Sequence, residues 1–285
     1  MPRQPLVSRR AEQLLGRVVV STAPVPGGNI ATATKLRLGD GSQALMKTLS
    51  HAPADFFPTE ARGLRWLAEA DPGLVPDVLA AEQDCLIIGW VDVGRPTSES
   101  AEALGKALAG LHRRGADRFG ATADGYIGRL PLPNRPTPTW AEFYAVRRVL
   151  PYLKLAVDRG AVEPDEAAAI ESVIGRLTAL LPEEPPARLH GDLWNGNVLW
   201  DATGGARLID PAAYGGHREL DLAMLALFGL PHLDRVIDSY QEVTPLAEGW
   251  ADRVALHQLF PLLAHAAMFG GGYGARAAAA AARYR

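Results

Sequence analysis

An Asp and an Asn five positions apart on a glycine-bearing loop, followed by a short hairpin and a second Asp, constrain this chain more than any other stretch. The segment runs Leu189-His190-Gly191-Asp192-Leu193-Trp194-Asn195-Gly196-Asn197-Val198-Leu199-Trp200 and resumes as Ala206-Arg207-Leu208-Ile209-Asp210-Pro211. Its apolar runs, Val198 to Trp200 and Leu208 to Ile209, are divided by Asp201-Ala202-Thr203-Gly204-Gly205, which predicts a β-hairpin. Asp192, Asn197 and Asp210 then converge at the hairpin's open end. Phosphoryl transfer from ATP needs such a set: a carboxylate to orient the attacking hydroxyl and take its proton, with an Asn and a further Asp to hold Mg²⁺ on the phosphates. The Asp-x-x-x-x-Asn spacing is the one kinase catalytic loops use. Two other readings stay open at this point. Gly, Asp and Asn punctuate turns for conformational reasons alone, and His190, Asp192 and Asp210 also make a hydrolytic metal set. What separates the three is whether the upstream half supplies a phosphate loop and a lysine.

It supplies both, in order. Gly16 to Ser21 is β-branched, and Thr34 to Leu38 alternates polar with apolar residues, so both read as strands. Between them lies Pro24-Val25-Pro26-Gly27-Gly28-Asn29-Ile30. Such a turn lets backbone N–H groups approach phosphate oxygens without Cβ clashes, although a plain tight turn has the same composition. Gly39-Asp40-Gly41 makes the next turn, and Ala44-Leu45-Met46-Lys47-Thr48-Leu49 places one cation in an apolar strand. Most strand lysines lie along a solvent face, but here Lys47 stands on the third strand after a glycine-rich turn, where a kinase needs a cation for the α- and β-phosphates. A helix follows, with Thr59 as a candidate cap and Glu60 in its first turn. Glu60 serves either the helix dipole or an ion pair with Lys47. Val78 to Ala80 and Cys85 to Val91 complete a five-stranded antiparallel sheet with one helix.

After Val91 the character changes to the connector Asp92-Val93-Gly94-Arg95-Pro96, and long helical patterns dominate from Ser98 onward. The expected division is an N-terminal nucleotide-binding lobe over 1–93, a hinge at about 89–96, and a helical lobe over 94–285. The backbone of Gly89, Trp90 and Val91 is then the natural partner of an adenine edge. Leu104, Ala107, Leu108 and Leu111 recur at helical spacing as core. A Pro- and Gly-rich loop over 119–139 is long enough to suggest function. Further helices are expected over 140–157, 164–181, 219–228, 233–243 and 250–269, with an Ala-rich helical or frayed tail.

Bulk properties limit the partners. With 285 residues and 48% apolar content the chain buries a sizeable core. A net charge of −3 offers no long-range attraction for nucleic acid or anionic membrane, so neither is expected as a partner. One cysteine, Cys85, excludes an intrachain disulfide framework and suits a reducing compartment. No secretory h-region follows Met1, and the apolar stretch Val254 to Phe269 is interrupted by His257, Gln258, Pro261 and His265. A cytoplasmic protein is expected.

With these residues assembled, the sequence resembles the fructosamine kinase (ketosamine-3-kinase) family, within the aminoglycoside and choline phosphotransferase branch of the protein-kinase-like fold. The resemblance runs from about Val18 to Tyr273. It rests on His190-Gly191-Asp192-Leu193-Trp194-Asn195-Gly196-Asn197, on Ile209-Asp210-Pro211-Ala212-Ala213-Tyr214 with the following Gly215 to Met224, and on Phe269-Gly270-Gly271-Gly272-Tyr273. The resemblance implies an α+β bilobal fold and an ATP- and Mg²⁺-dependent kinase acting on the C3 hydroxyl of a ketosamine, free or on a protein lysine, in a deglycation role. It implies Asp192 as catalytic base, Asn197 and Asp210 as Mg²⁺ ligands, and Lys47 with Glu60 as the phosphate-positioning pair. Gly27, Gly28, Asn29 and Ile30 would cover the phosphates, with Gly89, Trp90 and Val91 at the adenine. Asp221 and His190 would brace the catalytic loop, while Trp194 and His217 would border the acceptor. Two features depart from the family pattern: Asn29 stands where an acidic residue is usual, and Ala31 where a hydroxyl is usual. The loop also lacks a cysteine that some relatives carry, so redox regulation is not expected. Kinases for other hydroxylated amines, and a nucleotide-binding scaffold on the same fold, are the alternatives; retention of all five polar site residues argues against the scaffold.

Overall fold

A computed structural model describes residues 4–27 and 30–284. The first part of the chain builds a sheet from β1 (Val19–Val25), β2 (Thr32–Leu38), β3 (Gln43–Thr48), β4 (Val78–Ala81) and β5 (Cys85–Gly89), in the order β1-β2-β3-β5-β4 with every pair antiparallel. Strand alternation gives each side one task. Leu36, Leu38, Ala44, Met46, Cys85 and Ile87 form a small core with Ala11 of α1 (Gln4–Leu15). The odd-numbered positions Ala33, Leu45 and Lys47 line a cavity on the opposite side. Register puts Ala33 beside Lys47, and Lys47 beside Leu86.

The sequence predicts one helix in this region, and α1 is a second. It is tied to the sheet by Arg10, whose guanidinium donates to both Asp84 carboxylate oxygens at 2.8 and 3.0 Å. The other helix, α2 (Phe56–Ala68), begins after Asp55, earlier than expected. Thr59 is therefore inside the helix rather than its cap, and Glu60 lies beyond the first turn, on the face toward Lys47.

The remainder is mainly helical. It opens with α3 (Ser98–Arg114), capped by reciprocal Thr97 and Ser100 hydrogen bonds. The long loop contains a hairpin, β6 (Gly125–Ile127) and β7 (Leu130–Leu132). Next, α4 (Trp140–Phe143) passes through a π-helical turn at Tyr144–Val149 into α5 (Leu150–Asp158), followed by α6 (Pro164–Ile174) and α7 (Leu177–Leu180). Then come β8 (Ala187–Leu189), β9 (Val198–Trp200), β10 (Ala206–Leu208) and β11 (Tyr214–Gly216), with β9 pairing β10 and β8 pairing β11. The chain finishes with α8 (Glu219–Phe228), α9 (Leu233–Val243), α10 (Trp250–His257), α11 (Leu259–Phe269) and α12 (Tyr273–Ala282).

Two helices expected to be continuous are divided. Residues 164–181 become α6 and α7, and residues 250–269 become α10 and α11. The second break has a plain cause: Pro261 has no N–H to offer the carbonyl four residues back at His257. The Tyr144 hydroxyl fills in, donating to the Leu256 carbonyl at 2.8 Å and lying 3.0 Å from that of His257.

One apolar cluster binds the two parts of the molecule. Leu193, Val198 and Leu208, from the polar loop and its hairpin, pack in it with Phe57 and Leu64 of α2, Leu86 and Ile88 of β5, and Leu104 and Leu108 of α3. Leu193 is fully buried, a contribution of about 2 kcal/mol that fixes the loop from beneath. No described helix is long and apolar enough to cross a membrane.

Candidate active site

Lys47 is the pivot of the site. Strand alternation turns it toward the cavity, where its Nζ lies 2.6 Å from Glu60 Oε1 and 2.8 Å from Asp210 Oδ1. Burial alone would lower the pKa of this ammonium, but Glu60 and Asp210 more than offset it and hold it above its ordinary value. The lysine is a fixed cation.

Asp210 ends the β10 segment with φ near 55°, a left-handed conformation uncommon for a non-glycine residue. Its backbone course is set on both sides: Ile209 N–H donates to Asn197 O at 3.0 Å, and Ala212 N–H donates to His190 O at 2.9 Å. Gly191, at φ 82°, sits so close to that crossing that a Cβ there would lie 2.2 Å from Ala212 O, and only glycine fits.

Asn197 faces Asp192. Its amide Nδ2 donates to the Asp192 carbonyl at 2.8 Å and lies 3.2 Å from the carboxylate Oδ2. Burial, and then the neighbouring Asp210 charge, push the Asp192 carboxyl up to about 7, against the Asn197 hydrogen bond. A carboxyl so tuned exchanges a proton near neutral pH.

Behind this loop stands Asp221, on the first turn of α8 and 1% exposed. Its carboxylate accepts the backbone N–H of His190 at 2.8 Å and of Gly191 at 3.0 Å. Burial opposes its charge, yet the hydrogen bond from His112, with the backbone N–H of Gly191, prevails and holds it below the ordinary carboxylate range. His112 Nε2 lies 3.2 Å from Asp221, and its Nδ1 lies 2.9 Å from the Tyr240 hydroxyl. His112 and Tyr240 were not foreseen: they lie 109 and 128 positions from their partners, and no local signal marks them. His190 itself is buried, which lowers its pKa; the neutral ring donates from Nε2 to Ile209 O at 2.9 Å and accepts Asp192 N–H on Nδ1 at 3.3 Å. It is committed to the loop's own backbone, not to a metal.

These groups open into a cavity of about 1560 Å³. On one side it is lined by Ala31, Ala33, Leu45, Ile88, Leu199 and Ile209, with Gly89, Trp90 and Val91 at the edge and Gly27 and Ile30 at the turn. Gly28 and Asn29 lie outside the described residues. The Trp90 indole is braced by Lys35, whose Nζ stands 3.9 Å from the ring centroid, and by Asp92, which accepts its N–H at 2.9 Å. The other side is aromatic. Trp194 packs edge-on against Phe228 at 5.9 Å between centroids, Phe228 meets His265 at 5.0 Å, and His265 meets Tyr273 at 5.2 Å.

His217 does not join them. After Asp210 the chain turns back as β11 to pair with β8, carrying His217 away from the cavity to a position with no exposure. It stacks on His257 at 5.0 Å and lies 6.1 Å from the Trp140 ring, with burial and then His257 pushing its pKa down to about 3. The nearby Glu219 has both carboxylate oxygens taken by Arg253, at 2.6 and 2.9 Å. The expected acceptor contact of His217 is therefore replaced by a place in the rear core.

A sequence profile of the fructosamine kinase family matches residues 4–284. This chain belongs to that family. A probable ketoamine kinase of Thermus thermophilus is 36% identical over 255 residues, covering 88% of each chain. A crystal structure from Thermobifida fusca, named as a candidate fructosamine-3-kinase, matches with a TM-score of 0.93 and 50% identity over 98% of both chains. An ADP-bound aminoglycoside phosphotransferase shares the fold at a TM-score of 0.68 and 13% identity, over 98% of both chains. The expected α+β, kinase-like architecture is borne out, and the family member is a phosphotransferase.

Proposed function

We propose that the protein transfers the γ-phosphoryl group of ATP to the C3 hydroxyl of a ketosamine, such as a fructosamine or ribulosamine, free or carried on a protein lysine. The single observation that carries this reading is the chain of contacts Glu60–Lys47–Asp210 beside the Asp192–Asn197 pair, within a family of ketoamine-directed kinases. Residues 1–93 form the nucleotide lobe and 94–285 the acceptor lobe, with the hinge at about 89–96. ATP lies with its adenine between Ala33 and Leu45 above and Leu199 and Ile209 below, its edge on the backbone of Gly89 to Val91. The turn Gly27 to Ile30 covers the phosphates.

Each residue has one task in the reaction. The acceptor sugar stacks beside Trp194, which brings its hydroxyl to Asp192. Asp192, the catalytic residue, orients that hydroxyl and takes its proton as the oxygen–phosphorus bond forms. The bond from phosphorus to the β-phosphate oxygen breaks, and ADP leaves. Lys47, held by Glu60, neutralises the phosphates. Asp221 and His190 keep the loop in register, so positioning does much of the work.

Asn197 and Asp210 present hard oxygen donors of the type Mg²⁺ prefers. Burial raises the Asp192 carboxyl most, and the Asp210 charge adds to it; a cation held by Asn197 and Asp210 would offset the second part. When bound there, Mg²⁺ supplies charge neutralisation on the β- and γ-phosphates. The 3-phosphorylated product releases the amine, a deglycation role, and a cytoplasmic setting fits a single buried thiol.

The test is phosphate transfer from labelled ATP to fructosyl-lysine and ribulosyl-lysine, with choline and an aminoglycoside beside them. Transfer to a ketosamine at its C3 position, read by NMR of the product, is expected. Turnover of choline or the aminoglycoside alone removes the ketosamine assignment.

A further inference from the structure

We propose that Gly63 is a positioning residue: its missing side chain lets α2 rest directly on the Asp210–Ala213 segment, so that helix and segment hold Lys47 between them in fixed geometry. The inference rests on the kinase reading above. A Cβ built on Gly63 would stand 3.3 Å from Ala213 Cβ and 3.4 Å from Pro211 Cγ, tighter than ordinary packing. Gly63 follows Glu60 by three positions, so the two share one helix face. One contact on that face is polar and the other steric. Glu60 reaches Asp210 only through the Lys47 side chain, a link several bonds long between helix and segment. The Gly63 contact is direct, backbone against the Pro211 and Ala213 side chains.

The steric contact also reaches the catalytic loop. Ala212, between the two residues Gly63 touches, donates its N–H to His190 O at 2.9 Å. Displacing this segment moves Asp210 and the loop bearing Asp192 together. A glycine here is otherwise unfavourable, because it lies within a helix where alanine would be the better former. Its neighbours Ala61 and Leu64 are buried, so the helix is anchored on either side of it. The close approach explains why this position carries no side chain.

The experiment compares the wild-type enzyme with Gly63→Ala, Gly63→Val, Ala213→Gly and the double variant Gly63→Ala/Ala213→Gly, measuring kcat, both KM values and melting temperature. A displacement of a few tenths of an ångström predicts a kcat about threefold lower for Gly63→Ala, and about tenfold or more lower for Gly63→Val, with the acceptor KM nearly unchanged. The melting temperature of Gly63→Ala stays at or above the wild-type value. The double variant, which removes the methyl met at 3.3 Å, recovers most of the lost kcat relative to Ala213→Gly. Wild-type kcat in both single Gly63 variants overturns the proposal, as does a loss that follows melting temperature and is not recovered in the double variant. Failure of wild-type transfer to every ketosamine overturns the substrate assignment instead. The Gly63 comparison is then read with whichever acceptor turns over, or with slow ATP hydrolysis.

Discussion

Lys47 and Asp210 lie 163 residues apart in the chain and 2.8 Å apart in space, and Glu60 meets the same ammonium at 2.6 Å. One cation thus joins the sheet, α2 and the end of the hairpin. Its charge cannot be replaced by an apolar side chain of similar length without leaving two carboxylates unpaired. Lys47→Met is expected to lower kcat by a factor on the order of 10²–10³, since it removes a charge opposed to the transferring group. Steady-state kinetics at saturating acceptor checks this, and a loss below about fivefold would remove Lys47 from the phosphate site.

The pH behaviour of Asp192 has a defined sign. Its carboxyl titrates at about 7 in the folded chain, raised by burial and then by Asp210. An unfolded Asp titrates near 4. Between these values the folded protein holds a proton that the unfolded chain has lost, so stability falls as pH rises through the window, and the penalty is complete above about 7. Asp192→Asn removes it. With chelator present, the variant is expected to melt about 2–4 °C above wild type at pH 8, corresponding to about 1 kcal/mol after allowance for solvent screening. At pH 4 the two should coincide. Catalysis falls in the opposite sense, by about 10³-fold, because the amide cannot take the hydroxyl proton. Equal melting curves across the pH range would remove the raised carboxyl from the site.

Asp221 separates structural bracing from a plain helix start. Its two oxygens accept the consecutive N–H groups of His190 and Gly191, and an asparagine offers only one acceptor there and turns an NH₂ toward a donor. Asp221→Asn is expected to cost about 2–3 kcal/mol in urea unfolding and to lower kcat at least tenfold, with little effect on the KM for ATP. A residue that only starts α8 would affect stability by about 1 kcal/mol and leave kcat alone.

What could be read from the sequence followed how local each signal was. The alternation of Ala44 to Leu49, the turn at Gly39–Gly41 and the hairpin around Asp201–Gly205 are short-range, and they placed Lys47, Asp192, Asn197 and Asp210 on the same cavity. The helix α1 is also legible: Val7, Ala11, Leu14 and Leu15 recur at helical spacing. His217 went astray because nothing local reveals that β11 returns to β8. His112 and Tyr240 complete the support of Asp221 through tertiary contacts alone, which no spacing rule reaches. Gly63 reads simply as a weak point in a helix until the Pro211 ring is seen against it.

Arg148 offers the sharpest test of how the long loop is held. It has no exposure, and its guanidinium lies 3.8 Å from the Tyr214 ring centroid and 4.6 Å from that of Phe143. It donates to Pro133 O at 2.7 Å and to Asn134 Oδ1 at 2.6 Å. Asn134 is itself buried at the cavity wall, so this arginine joins the π-helical turn to the loop and the loop to the cavity wall. The turn places its residue off the regular helical face, a geometry often found beside functional sites. Arg148→Met keeps most of the volume but takes the donor from the buried Asn134 Oδ1 and the half-buried Pro133 carbonyl. It is expected to destabilise the chain by about 2–4 kcal/mol and to raise the acceptor KM several-fold while the KM for ATP holds. Hydrogen exchange should show faster turnover confined first to residues 119–136. If exchange instead rises uniformly and the two KM values move together, the arginine supports the global core rather than this wall of the cavity.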